Sequence, residues 1–235
     1  MTKPLQGKIT LVTGASRGIG RAAAIALGGA GAHVICVART VGGLEETDDA
    51  IVKAGGSATL VPLNLKDFAT IDRLGASIFE RWKKLDAFLG NAGMLGALTP
   101  LTQLEPKLFA ELVEINITAN WRLIRSLDPL LRQSEAGRAL FVTSGAAGKH
   151  TPYWGGYAMS KAALESLALT YAAECAGTNV KVNLLNPGPI RTAMRAKAMP
   201  GEDPSSLKRP EAVAPLIVEL LSPSNEKNGA LVNFQ

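Results

Sequence analysis

The chain has 235 residues, 47% hydrophobic and 19% charged, with a formal net charge of +5: ordinary globular material, enough for one sizeable core and short of two full domains. No run of about 18 apolar residues exists to span a bilayer, Met1 to Lys8 lacks the apolar stretch of a leader, and the basic residues are dispersed, without a basic tail, zinc spacing or aromatic interleaving for nucleic acid. Cys36 and Cys175 lie far apart and read as buried free thiols, so the expected setting is the reducing cytoplasm.

Apolar runs alternate with helical periodicity along the whole length, the pattern of βα units around a parallel sheet covered on both faces. The expected fold is therefore α/β and doubly wound, one domain over residues 1–235. The first strand falls at 9–12 and its helix at 18–29; the second strand falls at 33–38, followed by a helix through 45–53 that stops at Gly55-Gly56. A strand at 58–63, a helix at 68–82 and a strand at 87–90 lead to Asn91-Ala92-Gly93. One long helix, 106–131, opens on Pro106 and precedes a strand at 139–143. A helix at 157–176, a strand at 180–185, a lid of mobile loop or short helices at 193–209, a helix at 210–221 and a strand near 230–232 complete the chain.

The turn Thr13-Gly14-Ala15-Ser16-Arg17-Gly18-Ile19-Gly20 stands between the first strand and its helix. Glycines admit an anion close to the backbone, and the free N–H groups of a helix start favour negative charge, so the turn suits a phosphate. Its spacing is Gly-x-x-x-Gly-x-Gly, not the commoner Gly-x-Gly-x-x-Gly. The second strand ends Val37-Ala38-Arg39-Thr40, without the acid that would hold a ribose 2′-hydroxyl. Arg39, with Arg17 from the glycine turn, offers planar donors to a 2′-phosphate, which favours NADP(H) over NAD(H).

Tyr157 and Lys161 share a helix face, and a fixed ammonium beside a phenol is expected to lower its pKa and make it a general acid and base. Ser144 follows the fifth strand, at the same edge as the glycine turn. Asn116 is a polar residue on an otherwise apolar helix face, where an unsatisfied amide is costly. Asn186-Pro187-Gly188-Pro189-Ile190-Arg191-Thr192 adds a rigid turn and a hydroxyl beyond the sixth strand. No metal-ligand spacing occurs.

These motifs, in this order and over nearly the whole length, resemble the short-chain dehydrogenase/reductase family. The resemblance implies a Rossmann fold with a sheet of about seven strands ordered 3-2-1-4-5-6-7 and the dinucleotide across its carboxyl edge. It implies that Tyr157 transfers the proton while nicotinamide transfers hydride, that Lys161 lowers the phenol pKa and binds the nicotinamide ribose, that Ser144 holds the substrate oxygen, and that Asn116 keeps an ordered water. Gly14, Ser16, Arg17, Gly18, Ile19 and Gly20 then hold the phosphates; Asn64, Leu65, Asn91, Ala92 and Gly93 line the adenosine pocket; Pro187, Gly188, Ile190 and Thr192 hold the carboxamide end. The chain departs from the family pattern at Asn64, where Asp is usual, at Gly90, where Asn is usual, and at Asn233-Phe234-Gln235, which lacks the glycine-rich ending that in the family packs the substrate pocket and one subunit interface.

Around the substrate the resemblance puts 145–154, 94–97 and the lid, which mix Tyr153, Trp154, Met194 and Met199 with Lys149, His150, Arg195 and Lys197. The expected substrate is a small carbonyl compound or secondary alcohol, apolar and with an acidic end. The two long helices resemble those of the family's four-helix subunit interface, so a homodimer or homotetramer is expected, with no nucleic-acid or membrane partner. The competing reading is a non-catalytic dinucleotide sensor or scaffold of the same fold. Such a binder needs no proton donor, and the chain has one.

Overall fold

The computed structural model describes residues 3–234; Met1 and Thr2, from the segment 1–8, and Gln235, from the chain ending, lie outside the described residues. Seven strands form where apolar runs required burial: β1 (Ile9–Thr13), β2 (His33–Ala38), β3 (Ser57–Pro62), β4 (Ala87–Gly90), β5 (Arg138–Val142), β6 (Lys181–Asn186) and β7 (Leu231–Asn233). All pair in parallel, in the order β3-β2-β1-β4-β5-β6-β7. The helices are α1 (Gly18–Gly29), α2 (Val41–Lys53), α3 (Phe68–Trp82), α4 (Pro106–Val113), α5 (Ala119–Gln133), α6 (Ala146–Lys149), α7 (Gly155–Glu174), α8 (Ala193–Ala198) and α9 (Ala214–Leu220).

Side chains alternate across the sheet, and the strands feed two cores accordingly. Leu11, Ile35, Phe88, Phe141 and Leu184 face the layer of α3, α5 and α7; Val12, Cys36, Leu89, Leu140 and Leu185 face α1, α2 and α9. Cys36 and Cys175 are both buried and free, one in each core, so the sheet itself separates them. No helix is long and apolar enough to cross a membrane among the described residues.

Parallel pairing brings every strand's carboxyl end to one edge. Thr13 stands beside Val37, Val12 beside Leu89, Gly90 beside Phe141 and Val142 beside Leu185. The strand order turns back between β1 and β4, and ligands of open α/β sheets lie in the crevice outside such a switch point.

The expected helix 106–131 is interrupted: α4 and α5 are joined by a π turn, Glu114–Thr118, centred on Asn116, whose carbonyl accepts a 2.9 Å hydrogen bond from Asn120 Nδ2. α2 begins at Val41, ahead of the expected 45, with Gly42 and Gly43 in its first turn and Gly43 packed closely on Ser16. The short α6 had no periodic signal at all. The segment 193–209, expected as a lid of mobile loop or short helices, contains α8 and a 3-10 turn at Pro204–Ser206, and it is tied at its base by the pairing of Ile190 with Lys208 and the Arg191 N–H donating to the Lys208 carbonyl at 2.9 Å.

Candidate active site

Three glycines of the first turn have three different reasons to be glycine. Gly14 has φ +69°, and a Cβ there would stand 2.8 Å from Asn91 Nδ2. Gly18 has φ +57° but open space around it, the nearest atom to an added Cβ being Thr192 Cγ2 at 3.5 Å. At Gly20 the backbone is ordinary and the space is gone: a Cβ would lie 2.3 Å from the Gly14 carbonyl oxygen. The first turn of α1 is thereby packed on the loop, and Arg17 at its N-cap makes no side-chain cap, which leaves the helix-start N–H groups for an anion.

Across the switch point, Asn91 Nδ2 donates to the Thr13 carbonyl at 2.9 Å, while Thr13 Oγ1 accepts from the N–H groups of Asn91 and Ala92 at 3.0 and 3.1 Å. Thr13 Oγ1 in turn donates to the Leu89 carbonyl at 3.3 Å. The departure at Gly90 has a steric cause: a Cβ would meet Phe141 Cδ1 at 2.7 Å, and Phe141 is held edge-on against Phe88.

Where the adenosine is expected, Arg17 and Arg39 are both exposed, at the adjoining ends of β1 and β2. Ser16 packs under the first turn of α2, where a Cβ on Gly43 would come within 2.9 Å of Ser16 Cβ. Ile19 packs against the α1-side core. Asn64 is exposed, and its Oδ1 already accepts the Lys66 N–H at 3.1 Å in a local turn. The Leu65 side chain is buried in the other core, so only its backbone is left for a ligand.

Tyr157 and Lys161 lie one turn apart on α7, both buried. Lys161 Nζ donates to the Val142 carbonyl at 2.8 Å and stands 5.9 Å from the centre of the Tyr157 ring. Burial pulls the ammonium down to about 8, with Glu165 opposing. The Tyr157 phenol is raised, by burial first, with hydrogen bonding to Ser144 acting the other way. This corrects the expectation of a lowered phenol: desolvation of the buried ring outweighs its neighbours, and the ammonium is engaged by a backbone carbonyl.

Ser144 stands just beyond β5, where its Oγ accepts the Ala146 N–H at 3.2 Å and starts α6. Asn116 is wholly buried: Oδ1 accepts the Met94 N–H at 2.8 Å, and Nδ2 donates to the Met94 carbonyl at 2.9 Å and to Ser160 Oγ at 2.8 Å. Gly93 sits between these groups, since a Cβ on it would lie 3.2 Å from Asn116 Oδ1 and 3.5 Å from Lys161 Nζ. Sequence reasoning missed Ser160 and Asn120 as partners of this turn. It also missed the role of Asn186, whose Oδ1 accepts from the N–H groups of Gly145 and Gly188 at 3.1 and 3.2 Å and ties the ends of β5 and β6 together. A polar residue at the end of an apolar strand was the available signal.

Pro187 and Ile190 are buried, Gly188 takes φ +65° in the turn after β6, and Thr192 caps α8, its Oγ1 accepting the Arg195 N–H at 3.1 Å. The segment 193–209 reaches Tyr157: Ala198 joins Leu95 and Tyr157 in a small apolar cluster, with Leu98, Ala146 and Trp154 packed on it. Arg195 grips Glu202 with two hydrogen bonds of 2.5 Å inside the lid. Of the residues expected around the substrate, Trp154 meets Tyr157 edge-on at 6.1 Å, whereas Tyr153, Met194 and Met199 are exposed. Among the described residues no cluster of His, Cys, Asp and Glu is arranged to hold a metal.

The family model for short chain dehydrogenases matches residues 8–203. The chain is 35% identical over 235 residues to the uncharacterised oxidoreductase YciK of Escherichia coli (strain K12), covering 98% of this chain and 93% of that one. The crystal structure of a short chain dehydrogenase from Salmonella enterica serovar Typhi superposes with a TM-score of 0.95 at 34% identity, over 99% of this chain and 98% of that one. A chain from Shigella flexneri 2a, crystallised in complex with NADP, superposes with a TM-score of 0.94 at 35% identity over 99% of both chains.

Proposed function

The chain belongs to the short-chain dehydrogenase/reductase family, and from that premise we propose that it is an NADP(H)-dependent oxidoreductase acting on a carbonyl or secondary alcohol, with Tyr157 as general acid and base. The residues present fit the cofactor. The uncapped start of α1 and the open space at Gly18 would take the pyrophosphate, with Thr192 facing it; Arg17 and Arg39 would take the 2′-phosphate. When bound, the nicotinamide supplies or accepts the hydride.

The chain's own groups manage the proton and the substrate. Ser144, which pulls the Tyr157 phenol pKa down against burial, would orient the substrate oxygen toward the phenol. In reduction the raised phenol pKa keeps Tyr157 protonated and able to donate to the developing alkoxide. In oxidation the phenol must be deprotonated, and Lys161, 5.9 Å from the centre of its ring, would be the cation available to offset the phenolate charge once its hold on the Val142 carbonyl is shared. Asn116 would act by holding the Met94 turn and Ser160 around Lys161, with both N–H groups of its amide engaged by protein partners.

The apolar cluster of Leu95, Ala198 and Trp154 over Tyr157 suits an apolar substrate body, while the exposed Lys149, His150 and Lys197 suit an acidic end outside it. Trp121 on α5 and Leu169 on α7 are each 42% exposed, which supports a homodimer or homotetramer through those helices. The two reduced thiols suit the cytoplasm.

The single observation that carries the reading is the placement of Tyr157 and Lys161 at the Val142 end of β5, on the same sheet edge as the glycine turn. A panel of ketones, aldehydes and secondary alcohols, followed at the nicotinamide absorbance with NADPH and NADH, tests it. Turnover is expected with NADPH and is expected to vanish in Tyr157→Phe, while NADPH affinity stays within a few fold. Undiminished turnover in that variant removes Tyr157 from the chemistry.

A further inference from the structure

Glu165 lies one turn beyond Lys161 on α7, half-buried, on the face that also carries Tyr157. Its Oε1 accepts a 2.7 Å hydrogen bond from Thr143 Oγ1. Thr143 is 3% exposed and immediately precedes Ser144. The carboxylate therefore fastens the end of β5 that presents Ser144 to the helix that presents Tyr157 and Lys161.

The elements packed on Lys161 bring it neutral groups among the described residues: the Val142 carbonyl from β5, Gly93 from the turn after β4, and the Asn116 amide from the π turn. On its own helix it faces the Tyr157 ring and Glu165, and Glu165 is the one charged side chain acting on it. We propose that Glu165 is a positioning residue, anchored by Thr143, that holds the charge on Lys161. The inference rests on the role proposed above for Lys161. Burial by itself disfavours the ammonium, and a carboxylate held nearby in a region of low dielectric opposes that loss.

The test is a 13C titration of the lysine Cε resonances in the cofactor-free protein, with the Lys161 signal identified by its absence in Lys161→Arg. The midpoint is expected at about 8 in the parent. In Glu165→Gln it falls by about one pH unit, and Glu165→Asp restores part of the difference. Thr143→Val keeps the carboxylate and frees it from its anchor, so the midpoint falls by a smaller amount; this variant also decides the matter if Glu165→Gln does not fold. A midpoint unmoved in Glu165→Gln overturns the inference, and one unmoved in Thr143→Val overturns the anchoring. Alcohol oxidation with NADP separates this from the role of Lys161 itself: if Lys161→Met oxidises the alcohol as fast as the parent, the proposed role of Lys161 falls and takes the inference with it.

Discussion

Asn116 clasps Met94 with both ends of its amide, Oδ1 accepting the Met94 N–H at 2.8 Å and Nδ2 donating to the Met94 carbonyl at 2.9 Å. The same Nδ2 reaches Ser160 Oγ on α7, so one side chain joins the π turn, the loop after β4 and the helix that carries Tyr157 and Lys161. A polar side chain on an apolar helix face is here a structural staple, with all its donors and acceptors on protein atoms that shape the site.

Asn116→Ala is therefore expected to cost about 2–4 kcal/mol of stability, because it strands buried polar partners as well as losing its own bonds. Urea denaturation measures it. A variant as stable as the parent would leave Asn116 with a role in water binding alone.

The two glycines at 18 and 20 are expected to respond differently to alanine. Gly20→Ala forces its Cβ against the Gly14 carbonyl, where the structure leaves 2.3 Å, so both stability and NADPH binding are expected to fail. Gly18→Ala meets no atom nearer than 3.5 Å and pays for its φ of +57°, a cost of about 1–2 kcal/mol per residue in the left-handed region. Thermal melts with and without NADPH distinguish them; equal effects would mean that the crowding at Gly20 costs no more than the left-handed backbone at Gly18.

Arg39→Ala is expected to weaken NADPH by about 1–3 kcal/mol, the range for a hydrogen bond to a charged group or an unpaired charged partner. NADH, which has no 2′-phosphate, is expected to lose little. Isothermal titration with both cofactors gives the comparison, and an equal loss for the two would remove Arg39 from the phosphate.

Lys161 is expected to stabilise the site's chemistry and destabilise the fold. Its folded pKa of about 8 lies below the 10.5 of an ordinary lysine, so between these values the unfolded chain binds the extra proton and stability rises with pH. Below about 8 the penalty is fully present; a shift of this size corresponds to roughly 3 kcal/mol. Lys161→Met is thus expected to be the more stable protein at pH 7, by up to that amount, with the difference shrinking as pH rises through the window. Denaturation at pH 7 and pH 10 checks the sign, and a parent that is the more stable at both would contradict it.

Much of the fold was legible because it is written locally. Strands 33–38 and 87–90 and helices 18–29 and 68–82 were expected at the limits they take, since apolar runs, helix periodicity and glycine stops all act within a few residues. The π turn at Asn116 was not, because what holds it is a set of hydrogen bonds to Met94, Ser160 and Asn120, of which the first two come from other elements. The reason for Gly90 was equally hidden: Phe141, from a neighbouring strand, occupies the place of its Cβ.

By itself the sequence determined the alternation of strand and helix, the sheet that follows from it, and the residue types at each strand end, because burial periodicity and turn chemistry are properties of short stretches. Only the tertiary structure decided how those residues act on one another. Packing carried Tyr157 and Lys161 out of water, so that the phenol is raised and the ammonium lowered, the opposite of what their proximity alone implied for the phenol. Packing also brought Glu165 to Thr143 and Ala198 to Tyr157. Desolvation and long-range contact depend on what surrounds a group in space, and no window of sequence contains that.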